Sequence, residues 1–454
     1  MKKNIVIFLC DQLRRHALSV YDNPDCQTPH LDALAENGTR FSRAYSTYPI
    51  CVPFRHTLMT GVSGYQADVP AFDYSIPEQR RTLADEFNEA GYETALFGKW
   101  HLCAHAERGI PQSRQGRWQT FVYSDGFPKY DGIIHLTDPR NGETSTGFDT
   151  DLFTDLAIEW LDKERDKNKP FCLNVSLSAP HDVKRPRVEL YDDDPLNAPD
   201  KFFYRAPEEY MDRWKDRPVS RHPNFMKSEN PEHHAFLEDA IRGYYAMIEH
   251  LDDAFGRFMN YLKQTGLHED TIVVFLSDHG DLLGSHCTNH KGLPYEESNG
   301  IPLIVSGPGV ETDKVVDTIV HTEDFFPTLL GLCGLSSNLN LSGEDCSSLV
   351  FGTSDDLDRD GVFLEFHRED RQDFQRCHPL WRGYVNKDFK YAALKDDKGE
   401  FQPWLMFDLR NDPYEQHNLI HDEAYKAIVE KLHEYMVQQM NSCSTNRERE
   451  QSES

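Results

Sequence analysis

Four apolar runs, each closing on a charged or titratable residue, constrain this chain more than any other feature of its 454 residues. Residues 5–10 lead into Asp11, 93–97 into Lys99, 171–177 into His181 and 271–277 into Asp278, and a fifth apolar run covers 303–306. Short, largely apolar runs rich in β-branched residues mark the strands of a buried sheet. Between them the spacing turns helical: residues 79–90 end at Gly91, and the amphipathic stretch 236–264 ends near Gly266, a residue suited to a helix C-cap. Strands alternating with helices predict an α/β layer structure with a mostly parallel central sheet. Open α/β sheets place ligands beyond the carboxyl ends of their strands. Four separate strands are therefore expected to deliver Asp11, Lys99, His181 and Asp278 to one edge.

From about residue 335 the pattern changes to short strands at 362–366, 383–385 and 389–393, then a last helix near 423–439. This predicts a large α/β domain over 1–335, a smaller antiparallel C-terminal subdomain over 336–441, and a polar, disordered tail at 442–454. Residues 182–231, rich in Pro, Asp and Arg, are expected to form a long insertion over the sheet edge. His321 and Asp324 are placed to cap a helix over 322–330.

The chain carries 76 acidic residues against 48 Lys plus Arg, a net charge of -28. Such an excess repels nucleic acid and anionic membranes at long range, so neither is an expected partner. No stretch is apolar enough to span a bilayer. Met1-Lys2-Lys3 leads straight into the first strand, without the apolar core of a signal peptide. Ten cysteines without a C-x-x-C pair argue against a zinc ribbon or disulfide frame and fit a reduced, cytoplasmic setting.

Asp11-Gln12 and Ser277-Asp278-His279-Gly280-Asp281 offer hard oxygen donors plus one imidazole, a set suited to a divalent cation such as calcium or magnesium. Cys51 opens the run Cys51-Val52-Pro53-Phe54-Arg55-His56-Thr57-Leu58-Met59-Thr60-Gly61, which resembles the type I sulfatase signature. The resemblance extends along the chain. Thr28-Pro29-His30-Leu31-Asp32-Ala33-Leu34 is similar to an early segment of that family, and Gly98-Lys99-Trp100-His101-Leu102 to its second signature. Residues 277–284, with Lys291-Gly292 and Pro294-Tyr295-Glu296-Glu297, are similar to its late metal and lysine segment. Phe407-Asp408-Leu409, with Asp412-Pro413, Glu415, Asn418 and Leu419, is similar to its C-terminal signature. Two positions depart from the pattern: Gln12 stands where many members have a second aspartate, and Phe54 where serine or alanine is usual.

The resemblance implies an alkaline-phosphatase-like three-layer sandwich and a metal-dependent sulfatase. Cys51 would be converted to formylglycine by a formylglycine-generating enzyme. Its hydrated aldehyde would attack sulfur, form a covalent sulfated intermediate and expel sulfate with the second hydroxyl. Asp11, Gln12, Asp278, His279 and the modified Cys51 would surround Ca2+, with Mg2+ or Mn2+ as alternatives. Arg55 would steady the hydrate, and Lys99 and Lys291 would hold sulfate oxygens. His101 would take the proton of the second hydroxyl, and His181 would protonate the departing alcohol. His286, Asn289 and His290, with His105, Arg108, Arg376, His378, Trp381 and Arg382, are candidates for shaping the pocket around the alcohol. Basic groups beside an aromatic suit a small sulfated carbohydrate attacked at its end. Two other readings are a phosphonate or phosphate ester hydrolase of the same superfamily, from which Lys99 with His101 would distinguish it, and a sulfate-binding protein in which Cys51 stays a thiol.

Overall fold

The computed structural model describes residues 2–104, 109–124, 132–183, 204–225, 231–368 and 379–453, with the backbone alone at 231–236 and 443–453. In chain order the strands are β1 (Asn4–Asp11), β2 (Gly38–Phe41), β3 (Ala44–Tyr45), β4 (Glu93–Lys99), β5 (Thr120–Ser124), β6 (Ile133–Thr137), β7 (Thr144–Phe148), β8 (Phe171–Pro180), β9 (Thr271–Ser277), β10 (Gly300–Ile301), β11 (Leu303–Ser306), β12 (Lys314–Val316), β13 (Val320–His321), β14 (Gly361–Phe366), β15 (Trp381–Asn386), β16 (Phe389–Lys395) and β17 (Phe401–Asp408). Eight of them form the central sheet in the order β12-β2-β11-β9-β1-β8-β4-β5. The block β9-β1-β8-β4-β5 is parallel throughout, whereas β11 runs against both neighbours. Parallel strands finish at one edge, so the residues that close β1, β4, β8 and β9 meet there, as the sequence predicts.

Alternate residues explain why the sheet is covered on both sides. Ile5, Ile7 and Leu9 of β1 pack with the helices Cys51–Thr60, Leu83–Glu89 and Thr322–Leu332. Val6, Phe8 and Cys10 pack with Pro29–Glu36, Asp149–Glu159 and the long helix Pro231–Gln264. The Phe8 ring meets Phe255 of that long helix edge-on, with centroids 5.1 Å apart. The result is a three-layer α/β/α sandwich. The helix expected over 79–90 begins only at Leu83, because Thr82 and Asp85 form a capping box that fixes its start. His321 and Asp324 do the same for Thr322–Leu332.

Strands β14 to β17 form a separate antiparallel sheet. One face, with Leu364, Phe366, Trp381, Val385 and Phe407, packs on Tyr45, Tyr48, Ile50 and Ile319 of the larger layer structure. The other, with Phe363, Tyr384, Tyr391 and Met406, packs on Val429, Leu432 and Met436 of the last helix, Lys426–Glu453. Strand β17 escapes the sequence pattern because Gln402 and Pro403 interrupt its apolar residues. The last helix also continues to Glu453, through the tail expected to lack structure; its Arg, Glu and Gln residues are good helix formers that extend a helix already nucleated upstream. Within the expected insertion, 184–203 and 226–230 lie outside the described residues, and the helix Glu208–Trp214 packs Tyr210 and Trp214 into the core. No helix among the described residues is long and apolar enough to cross a membrane.

Candidate active site

The helix Cys51–Thr60 starts over the strand ends and is buried along its whole length, with Cys51 at 0% exposure. Cys51 Sγ lies 3.1 Å from His279 Nε2, 3.3 Å from Lys291 Nζ, 3.5 Å from Asp11 Oδ1 and 3.9 Å from Lys99 Nζ. Asp11, Cys51, Asp278 and His279 each bring one ligand atom to within 4.8 Å of the others. His279 Nδ1 donates to Gly280 O at 2.9 Å, which leaves the Nε2 lone pair facing Cys51 and the two carboxylates. Two buried carboxylates and an inward-turned imidazole fit a hard divalent cation.

Arg55 braces the cluster from behind. Its Nε donates to Asp278 Oδ2 at 3.1 Å and its Nη2 to Asp11 Oδ2 at 3.4 Å, while Nη1 reaches Lys99 O at 3.0 Å and Ser176 Oγ at 2.7 Å. Ser176 in turn donates to Lys99 O at 2.8 Å, and Lys99 Nζ pairs with Asp11. Sequence reasoning missed Ser176, one of three polar residues, with Asn174 and Ser178, in a buried strand, and nothing in the sequence sets it apart from the other two.

Gln12 adopts a left-handed backbone, φ 68°, and its N–H donates to Asp278 Oδ1 at 3.1 Å. The side-chain amide is oriented by its neighbours. Nε2 donates to Asp281 Oδ2 at 2.7 Å and Asp182 Oδ1 at 3.3 Å, and Oε1 accepts from Lys291 Nζ at 2.7 Å. Two carboxylates claim the nitrogen, so the oxygen faces the lysine. Asp281, which the sequence offered among the oxygen donors for the cation, instead accepts from Gln12, and Asp182, next to His181, is a partner that sequence reasoning left unassigned. Tyr204 donates to Asp281 as well.

Burial and Asp11 push the Cys51 thiol up, but Lys291, Lys99 and His279 outweigh them and bring it down to about 6. Burial pushes Asp11 up, yet Lys99, His181, Lys291 and Arg55 together hold it well below the usual carboxylate range. Asp278 is raised, by burial and then by Asp11 beside it. His101 and His181 are held well below the ordinary imidazole range by burial, reinforced by Lys99 and Arg55 for the first and by Lys291 for the second. Both are neutral at pH 7. His181 Nδ1 faces Asp182 O at 2.8 Å and Asp182 Oδ1 at 3.1 Å.

The outer candidates divide. His290, with a side chain 38% exposed and Nδ1 3.8 Å from Asp182 Oδ1, stands at the mouth of the site. His286 does not: its ring stacks on Tyr295 at 3.7 Å and its Nε2 lies 3.5 Å from Glu297, so the loop folds this side chain inward. Trp381 is fully buried and donates Nε1 to Gly292 O at 2.8 Å, which makes it core rather than pocket wall. Arg382 points to the opposite face of β15, where its guanidinium lies over Tyr65 and Phe401 and donates to Trp381 O. Phe54 faces away from Cys51 into the core against Phe325. His105, Arg108, Arg376 and His378 lie outside the described residues.

A three-layer sandwich with a buried helix set over the ends of its parallel strands is the architecture of the alkaline-phosphatase-like class. Within that class the chain belongs to the sulfatase family and is a sulfuric ester hydrolase: the Sulfatase family model matches residues 3–335, and the model for the C-terminal part of N-sulphoglucosamine sulphohydrolase matches 284–442. An ulvan-active sulfatase of Formosa agariphila is 29% identical over 95% of this chain and 80% of its own length. An arylsulfatase of Clostridium perfringens is 28% identical over 97% and 95%. An N-acetylglucosamine-6-O-sulfatase of Bacteroides thetaiotaomicron is 25% identical over 95% and 85%. Among solved structures, BT4656 in complex with its substrate D-glucosamine-2-N,6-O-disulfate superposes with a TM-score of 0.79 at 23% identity, covering 98% of this chain and 99% of that one, and supports the fold.

Proposed function

We propose that this sulfatase removes sulfate from a small carbohydrate, acting at its end, through an aldehyde hydrate made from Cys51. The observation that carries the reading is the convergence of Lys99 and Lys291 on Cys51, with Arg55 on the adjoining Asp11 and Asp278, beside a cluster able to hold a cation in a chain that is strongly acidic as a whole. A compact, buried group of cations suits a single sulfate group better than a polysulfated chain. The carbohydrate is suggested by the relatives named for ulvan and N-acetylglucosamine.

Asp11, Asp278 and His279 would hold the divalent cation, with the Gln12 amide oxygen turned to Lys291 beside them; calcium is the expected ion, with magnesium or manganese as alternatives. When bound, the cation supplies Lewis acidity to a hydroxyl on residue 51 and offsets the charge of the ester. Oxidation of Cys51 by a formylglycine-generating enzyme would give an aldehyde, and addition of water to it two hydroxyls on one carbon, one to attack sulfur and one to release sulfate. Lys99 and Lys291 hold the oxygens on which negative charge builds, and so favour the transition state over the ground state. His101, neutral in the free enzyme, accepts a proton from the second hydroxyl. His181 delivers one to the departing oxygen. Its Nδ1–H is tied to Asp182, which leaves Nε2 as the atom that carries the transferred proton, and a bound sulfate offsets the Lys291 charge that disfavours the imidazolium.

The test has two parts after coexpression with a formylglycine-generating enzyme. Mass spectrometry of the Cys51 peptide should show the aldehyde, lighter by the exchange of sulfur for oxygen and the loss of two hydrogens; full turnover by protein with an intact thiol overturns the nucleophile. Sulfate release from a panel of sulfated monosaccharides and unsaturated disaccharides should reveal the sugar. Activity confined to aryl sulfates or to the interior of long chains overturns the substrate.

A further inference from the structure

Glu415 belongs to the C-terminal signature, yet it has no part in the chemistry above. Its contacts lead to the loop that carries Lys291. Glu415 Oε2 accepts the backbone N–H of Glu296 at 2.8 Å. Lys390 Nζ, from β16, bridges Glu415 Oε1 at 2.8 Å and Glu296 Oε1 at 2.6 Å. Arg15, four residues past Asp11 on the chain leaving β1, closes the group through Glu296 Oε2 at 2.6 Å. All four side chains are buried, Lys390 at 1% exposure and Glu415 at 2%.

The loop between is held at its other end too. Gly292, next to Lys291, donates its N–H to Ser298 Oγ at 3.0 Å and accepts Trp381 Nε1 at its carbonyl. His290 O, on the other side of Lys291, accepts Leu282 N–H at 2.6 Å. Lys291 is thus stretched between fixed points, two of which, Trp381 and the Lys390–Glu415 pair, come from the C-terminal part of the chain. Gly292 turns the loop with φ +89°, a conformation that leaves few ways for the lysine to shift without moving those anchors.

The energetics argue for placement over stability. Four charges taken out of water cost several kcal/mol each, and their mutual attraction offsets this only when geometry is good. Apolar groups of the same volume often pack as stably as a buried ion pair. A buried network at such cost, joining strand β1, the lysine loop and the C-terminal sheet, fixes their relative positions.

We propose that Glu415, acting with Lys390 through Glu296, is a positioning residue for Lys291, so that the C-terminal sheet sets where the sulfate-binding ammonium stands. The proposal rests on the reading of Lys291 as a sulfate-holding group. Loss of the anchor lets the ammonium drift from the oxygens it serves, and substrate and inorganic sulfate both bind more weakly.

A double-mutant cycle with Glu415→Gln, Lys291→Ala and both together tests it, reading kcat, KM and inhibition by inorganic sulfate on the full chain. Glu415→Gln should raise KM and the sulfate inhibition constant together by about tenfold, a coupling usual within one network. In the Lys291→Ala background the same change should add less than about twofold, because there is no ammonium left to place. A purely structural role would lower kcat at unchanged KM and would act equally in both backgrounds; either result overturns the proposal while leaving Lys291 its role. If Lys291→Ala alone leaves inhibition by sulfate unchanged, the sulfate-holding reading falls and takes the proposal with it. Should Glu415→Gln not fold, Glu415→Asp, which keeps the charge on a shorter stem, carries the same cycle, with a KM shift lost in the Lys291→Ala background as the supporting result.

Discussion

Gln12 is the residue whose replacement would say most about the metal. Its amide separates Asp281 and Asp182 from the inner cluster by donating to both. Gln12→Asp exchanges that donor for a third carboxylate, so without metal the fold should lose about 1–3 kcal/mol. A divalent cation should recover it. Thermal unfolding with chelator and with calcium should therefore show a larger metal-dependent shift for Gln12→Asp than for the parent, and equal shifts would refute the placing of the cation next to residue 12. Cys51→Ala makes a complementary prediction, because the side chain is buried among groups that do not need it to fold. Metal and substrate binding should persist while turnover falls by at least about a thousandfold, measured by sulfate release.

At the scale of elements, the close approach of β4 to β8 controls where Lys99 is delivered. Gly98 has φ +116°, and a Cβ there would stand 1.8 Å from Ser176 O. Gly98→Ala must push two central strands apart, so a loss of about 3 kcal/mol or more, or failure to accumulate as soluble protein, is expected in denaturant unfolding. The helix Pro29–Glu36 gives a pH prediction. Its first amides, His30 N–H and Leu31 N–H, donate to Asp252 of the long helix at 3.0 and 2.9 Å. Burial pushes that carboxyl up to about 7, against the pull of those amides. A raised acid binds its proton more tightly when folded, so its contribution is whole below the unfolded value of 3.8 and is lost as pH rises through about 7. Relative to Asp252→Asn, the parent should therefore lose stability steadily from pH 4 to 7, by about 1.4 kcal/mol for each unit crossed; a flat difference would contradict the assignment. Elements also show what the sequence could reveal. Asp11, Lys99, His181 and Asp278 were legible because buried strands have a readable end and parallel strands share it. His286, Trp381 and Arg382 were not, because the face of a loop or strand that meets solvent depends on partners distant in the chain. Ser176 and Asp182 act through residues already recognised and carry no pattern of their own, and Asp281, legible as an oxygen donor, turns to Gln12. The start of the helix at Leu83 hung on one capping box.

For the whole molecule, charge and connectivity set the terms. A net charge of -28 surrounds a pocket that must admit an anion. Repulsion at long range is screened by salt, with a Debye length of about 10 Å at 0.1 M. For a multiply sulfated oligosaccharide, kcat/KM should rise by about two- to tenfold between low and moderate ionic strength, while a singly sulfated sugar should change little. Steady-state assays across a salt series check this, and a fall for both substrates would place basic surface around the mouth. Cys51 itself has a history imposed by its position. It is buried at 0% exposure against Asp11 at the end of β1, which is flanked by β8 and β9, and the last of these begins at Thr271. During synthesis the cysteine leaves the ribosome long before the strand that completes its surroundings. Any enzyme that alters it works in that interval, and a chain that closes first stays unaltered for as long as it remains folded.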